Sequence, residues 1–213
     1  MISQPVELST EDVLATQAVS ERSLTPDPWA DERIGAMKAR AKKHYIAEQD
    51  NRCCYCAEQW LTEHGRVWDL EHVVPKVLRP EFMFEPRNLA VACPDCNLAK
   101  WDKETLTGPQ IAEYPSQAGS FLVVHPHFDR WEDHIEKCGV VFRPITEKGT
   151  WTVTECNLGR FALKYADPTD EADPLDRRFE AALTDLTADP VTAQAALVRI
   201  QTYLASGAGA VPL

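Results

Sequence analysis

Two Cys-x-x-Cys pairs, Cys53/Cys56 and Cys93/Cys96, bracket the run Asp69-Leu70-Glu71-His72-Val73-Val74-Pro75-Lys76. Each pair presents two sulfurs at the separation zinc requires, and zinc takes four thiolates readily in a tetrahedron. An ion held this way is structural, because four thiolates leave no open position for water. The 36 residues between Cys56 and Cys93 exceed the about 15 to 20 of an ordinary ribbon, which points to an insertion that carries function. Within it His72 is the best candidate base. Hydrolysis of a phosphodiester needs a group that takes a proton from water near neutral pH, and a metal ion that neutralises charge developing on the phosphate and the leaving oxygen. Glu71 offers a hard oxygen ligand beside the base. Asn97, directly after the last cysteine, adds a side-chain carbonyl where a helix N-terminus would face a phosphate. Neighbours on a strand face opposite ways, so Glu71 and His72 converge only if the strand ends or bends there.

The elements that must position these residues read as strand, loop, strand, helix. Residues 67–70 form a short strand running into Glu71 and His72, with Pro75 ending it. Residues 77–87 are irregular, with Pro80 and Pro86, residues 88–92 make a second strand, and residues 96–103 a helix. Ahead of them a helix is expected from Trp29 to about Gln49, with a basic second half that is either a solvated face or a phosphate contact. Residues 1–28 read as an N-terminal arm in which Val13, Leu14 and Val19 suit a short docking helix. Beyond Gly108, strands are expected at 121–125 and as a pair, 140–142 with 151–154, across Glu147-Lys148-Gly149. Pro168 and Pro174 mark a linker-like stretch. The end is helical, with Ala193, Leu197, Ile200 and Leu204 as an apolar stripe divided from what precedes by Pro190.

With 213 residues the chain can bury a core, and no apolar run approaches the roughly 18 residues of a membrane span. The N-terminus lacks the basic and apolar regions of a secretory signal, so a cytoplasmic location and no membrane partner are expected. Seven cysteines, four of them in paired knuckles, argue against a disulfide framework. Cys53 rather than Cys54 gives the standard gap to Cys56, and Cys138 and Cys156 read as buried thiols. A net charge of -11 is awkward for binding nucleic acid, yet residues 33–103 hold 12 Lys and Arg against 10 Asp and Glu. Intrinsic affinity for nucleic acid should be weak and strengthened by a partner. The cluster His125, His127, Asp129, Asp133 and His134 has no characteristic ligand spacing and reads as hydrogen-bonding residues at a turn. Trp101 and Trp131 either stack on bases or pack on the core.

In order, Cys53-x-x-Cys56, Leu70-Glu71-His72-Val73-Val74-Pro75-Lys76, Asn88-Leu89 and Cys93-x-x-Cys96-Asn97-x-x-Lys100 resemble the HNH endonucleases built on a zinc ribbon, over about residues 50–104. The resemblance implies an α+β chain with a small ββα-metal core on a four-cysteine zinc ribbon, an N-terminal helix and a mixed α/β C-terminal extension. It implies that His72 is the general base, that Glu71 and Asn97 ligate a catalytic Mg2+ or Mn2+ ion, and that Asn88 pins the loop and orients the histidine. Lys100 would contact phosphate. The family often has Asp where this chain has Glu71, and Asp69 is an additional carboxylate. The expected organisation is an arm over 1–28, the nuclease core with its leading basic helix over 29–105, and an accessory region over 106–213.

A finer resemblance, carried by the same motifs with His125-Pro126 and Asp133-His134, is to the HNH proteins of retron and Septu-type phage-defence systems, which act beside an ATPase. The function implied is hydrolysis of DNA phosphodiesters, with RNA a lesser substrate, by an effector of bacterial defence or restriction. The alternative is a zinc-ribbon module that binds nucleic acid or protein and whose HNH-like site is inactive.

Overall fold

The computed structural model describes residues 2–21, 27–62, 67–108, 113–163, 182–183, 185–186 and 189–205. The element around which the rest is arranged is an antiparallel pair, β1 (Asp69–His72) and β2 (Leu89–Ala92), in the register Asp69 to Ala92 and His72 to Leu89. All four residues of β2 are buried, as an unbroken apolar run covered on both sides requires. Helix α2 (Gly35–Glu48) packs on both strands and α3 (Pro94–Lys100) on β1. Pro94 opens α3 at its first turn, where no amide hydrogen is needed.

Helix α2 stops because Asp50 and Asn51 take left-handed backbone conformations, with φ of 50° and 55°, which these residue types tolerate best after glycine. The chain then turns into the first knuckle. The Cys54 amide donates to the Val91 carbonyl, and the Gln49 side chain bonds both the amide and the carbonyl of Val91. The first knuckle is thereby attached to β2, one residue before Ala92 leads into the second.

The N-terminal segment packs on the body. Ile2 and Val6 are buried, the Ile2 amide donates to Pro126 O, and the Val6 amide donates to the Tyr45 hydroxyl. Helix α1 (Thr10–Glu21) lies where a docking helix was expected, but it buries Asp12, Thr16 and Val19 while Leu14 stays exposed. Asp12 is buried because it pairs with Arg40 of α2. The helix expected from Trp29 opens as two 3-10 turns, Pro28–Ala30 and Glu32–Ile34, each capped by an aspartate side chain.

After α3 the expected strand at 121–125 is reduced to one bridge between Leu106 and Phe121. The expected strand pair is also different. Strand β3 (Ile135–Cys138) pairs with β4 (Val141–Pro144) around Gly139, at φ 58°, while residues 151–154 belong to helix α4 (Glu147–Glu155). The Thr146 side chain accepts from the Gly149 amide at 3.1 Å, and this N-cap outweighs the strand preference of Thr152, Val153 and Thr154. Cys138, expected to be buried, is exposed on the hairpin, while Cys156 is buried.

Contacts divide the chain into a unit Met1–Gly159 and a unit Arg160–Leu213. The expected breaks after residues 28 and 105 both fall inside the first. The second contains α5 (Arg160–Leu163) and α6 (Pro190–Ala205). The Asp189 side chain caps α6 through the Val191 and Thr192 amides, and Pro190 is its first residue, at the division expected there. Ala196 and Ile200 are buried, and the side chain of Leu204, expected in the stripe, lies outside the described residues. The linker expected around Pro168 and Pro174 lies outside the described residues. No described helix is long and apolar enough to cross a membrane.

Helix α4 lies so close to the hairpin that a Cβ on Gly149 would sit 2.0 Å from the His134 carbonyl oxygen. Gly149→Ala is expected to destabilise the protein by about 1–3 kcal/mol through overpacking, read as a lower midpoint in urea with an unchanged slope.

Candidate active site

The four knuckle cysteines are buried, and their sulfurs all lie within 4.8 Å of one another. Cys56 Sγ and Cys93 Sγ are 4.0 Å apart, close to the roughly 3.8 Å edge of a tetrahedron with metal–sulfur bonds of about 2.3 Å. Burial would raise the Cys53 thiol, but hydrogen bonds from Cys54, Cys56, Cys93 and Cys96 override it and lower it, while Cys96 is pushed far up by its hydrogen bonds to Cys53, Cys56 and Cys93. Four thiolates this close repel one another, and a soft divalent cation would neutralise that repulsion. The donor set fits a metal ion such as zinc.

His72 ends β1 and is 6% exposed. Its Nε2 lies 3.0 Å from the Met83 carbonyl oxygen. A carbonyl only accepts, so the ring proton is assigned to Nε2 and Nδ1 keeps the free electron pair a base needs. Burial, with Lys76 and Lys100 adding to it, lowers the His72 pKa to about 3. The ring is therefore neutral at physiological pH. The Trp29 ring stands edge-on to it at 4.3 Å, and Asp27, two residues earlier, pairs with Lys76 at 2.7 Å.

Fully buried Asn88 holds the loop that supplies Met83. Its Oδ1 accepts from the Val74 amide at 2.7 Å, and its Nδ2 donates to both Val74 O and Phe82 O at 3.0 Å. One side chain thus joins the segment after His72 to the residue before Met83. Behind it stands a second layer from the cluster read as hydrogen-bonding residues. His125 Nδ1 accepts from the His127 amide, and Nε2 lies 2.8 Å from the Tyr114 hydroxyl. Nε2 then carries the proton, which turns the Tyr114 hydroxyl hydrogen toward Asn88 Oδ1 at 3.2 Å or Arg87 O at 3.1 Å. Among the described residues the four cysteines are the only group of three or more His, Cys, Asp or Glu side chains arranged to hold a metal.

Glu71, next to His72 on β1, is buried. Its Oε1 accepts from the Tyr55 hydroxyl at 2.9 Å and pairs with Lys100 Nζ at 2.7 Å. Lys100 is 1% exposed and also donates to the His72 carbonyl at 3.0 Å. Its ammonium is thus held by internal partners, the Glu71 carboxylate and the His72 carbonyl. Burial raises the Glu71 pKa against the opposing pull of Lys100 and Tyr55. Asn97 Nδ2 donates to Asp69 Oδ2 at 2.9 Å, which leaves the Asn97 carbonyl oxygen for a cation. The carboxylate beside Asn97 is Asp69 rather than Glu71.

These residues meet in a cleft of about 880 Å³ lined by His72, Asp69, Asn97, Lys76, Trp29 and Trp101, among others. Compared with known proteins, the chain is 25% identical over 123 residues to the Septu protein PtuB of Bacillus thuringiensis, covering 58% of this chain and 42% of that protein. The chain therefore spans less than half the length of the curated relative it matches. No protein-family model and no solved structure matches.

Trp29, Tyr55 and Tyr114 were not singled out as site residues from the sequence. Tyr55 lies between two ligand cysteines, which is a signal of a kind. Trp29 and Tyr114 reach the site from 43 and 26 residues away, beyond any motif window.

Two results are expected. Metal analysis of the purified chain should find zinc, and its removal with a mercurial thiol reagent and a chelator should abolish cooperative unfolding. Lys100→Met should cost about 3–5 kcal/mol by leaving a buried carboxylate unpaired, while Glu71→Gln together with Lys100→Met should recover most of that loss in denaturant melts.

Proposed function

We propose that the chain is a metal-dependent nuclease that hydrolyses DNA phosphodiesters at the cleft beside His72, as an effector of bacterial phage defence. The observation that carries this reading is a neutral histidine with its proton fixed on Nε2 by Met83 O, at the edge of a cleft that also holds Asp69 and Asn97. In this role His72 Nδ1 takes the proton from the attacking water. A base with a pKa near 3 is weak, but an entering phosphate brings negative charge close to it and moves that pKa upward. Asn88 keeps the ring oriented, and Lys100 holds the His72 backbone through its carbonyl. Asn97, with Asp69 or Glu71, would hold a Mg2+ or Mn2+ ion, which supplies charge neutralisation at the phosphate and leaving oxygen. Of the two carboxylates, Asp69 is the better placed, since Glu71 is committed to Lys100.

The similarity to the Septu protein PtuB supports the defence role and, with the resemblance of the motifs to defence proteins acting beside an ATPase, a protein partner. A second reading is favoured by the cover over the base: with Trp29 against His72, the isolated chain acts as a binding module and cuts only when a partner moves that ring.

Wild-type protein, alone and with its co-purifying partner, should nick supercoiled DNA with Mg2+ or Mn2+, and His72→Ala should lose about 100- to 10,000-fold. Cleavage by the variant at the wild-type rate would overturn the assignment of the reaction to this cleft. Activity confined to the complex would establish the second reading.

A further inference from the structure

Of the two tryptophans expected either to stack on bases or to pack, the structure separates the roles. Trp131 is a packing residue: its Nε1 donates to Tyr55 O at 2.8 Å and its ring meets Phe142 edge-on. Trp101 is 65% exposed on the wall of the cleft that contains His72. Its backbone has φ 48° and ψ -122°, a conformation that glycine adopts freely and a bulky residue only at a cost. The chain accepts that strain to end α3 with an indole in solvent. Its amide donates to the Asn97 backbone carbonyl at 2.9 Å, the last helical bond of α3, which places residue 101 one turn after Asn97. Nothing in the packing of the described residues requires a large aromatic side chain here.

We propose that Trp101 is a base-stacking residue and that the cleft takes an unpaired nucleic-acid strand; this rests on the reading of the cleft as a nuclease site. An indole face pairs with the face of a base, and in a continuous duplex those faces are covered by neighbouring base pairs. The cleft, at about 880 Å³, is of the size that encloses a small ligand and so suits a nucleotide or two rather than a turn of duplex. The charges lining it balance: Lys38, Lys76 and Lys100 against Asp69, Glu71 and Asp102. Lys100 and Glu71 neutralise each other internally. Phosphate attraction is therefore small, and stacking has to supply much of the affinity. Trp29, the second tryptophan in the cleft, lies between Lys38 Nζ, 5.5 Å from its ring centre, and the His72 ring. It places an aromatic surface next to the candidate base as well.

The test is fluorescence anisotropy with a fluorescein-labelled 20-nucleotide single strand and the corresponding blunt duplex, without Mg2+ or Mn2+, on the full chain. The single strand is expected to bind at least about 10-fold more tightly than the duplex, with a salt slope of magnitude below about 2, because at most two lysines reach phosphates. Trp101→Leu should weaken single-strand binding about 10- to 100-fold, and Trp101→Phe should restore most of it. Trp101→Gly should lose binding while its thermal midpoint stays equal or rises, which a packing role would not allow. Equal affinity for single strand and duplex, no binding of either, or unchanged single-strand binding by Trp101→Leu would each overturn the proposal. The last result would leave the exposed rim of Val77, Leu98 and Trp101 to a protein partner. Should His72→Ala abolish cleavage while Trp101→Leu changes neither cleavage nor binding, the nuclease reading stands and the stacking role alone falls.

Discussion

The joining of two cysteine knuckles is the constraint on which the rest of this structure depends. Thirty-six residues separate Cys56 from Cys93, and closing a loop of that length costs about 3 kcal/mol of chain entropy. A metal ion held by the four thiolates would be worth on the order of 10 kcal/mol or more and would outweigh that cost. It would also fix the end of α2 against the start of α3. Between these anchors the described residues form two four-residue strands, and a two-stranded ribbon of that size is not stable alone. The knuckle and α2 supply what the strands lack: Cys54 and Gln49 saturate the backbone of Val91, and α2 covers the buried face of β2.

A second constraint is electrostatic. Glu71 and Lys100 bury a carboxylate and an ammonium together, and Tyr55, from within the first knuckle, adds a hydrogen bond to the same oxygen. Lys100 then reaches the carbonyl of His72. The first knuckle, β1 and the end of α3 are thereby connected through one buried ion pair whose far end is the backbone of the candidate base. Such a pair contributes little net stability compared with apolar residues of the same shape. What it gives is register, since displacing either element by one residue would strand a charge inside the protein.

His72 is held on its other side by neutral groups. The Asn88 amide closes the loop that presents Met83 O, and Tyr114 and His125 stand behind Asn88. Burial keeps His125 neutral, its pKa pushed well below the ordinary histidine value, so the order of donors and acceptors along this line does not change in the physiological range. These residues come from 106–159, a segment that packs into the same unit as the knuckles and contributes to the site from behind.

How much of this was legible in the sequence follows the range of the interactions. The cysteine pairs, the two short strands and the helix after Cys93 were readable because each rests on local spacing, local apolar runs or a proline at a helix start. Residues 151–154 were misread as a strand, since their β-preferring side chains were outweighed by a Thr146 cap and by packing that only the folded hairpin provides. The motif resemblance implies a metal ligand at Glu71 and a phosphate contact at Lys100, but a motif records order along the chain and not the buried ion pair these two side chains make. By itself the sequence determined which donors are present and that four sulfurs could share an ion. Tertiary structure decided which carboxylate stands beside Asn97, that Lys100 is internal, and that Trp29 covers the histidine. Those outcomes depend on burial and on contacts between residues far apart in the chain, whose energies exist only once the elements are packed.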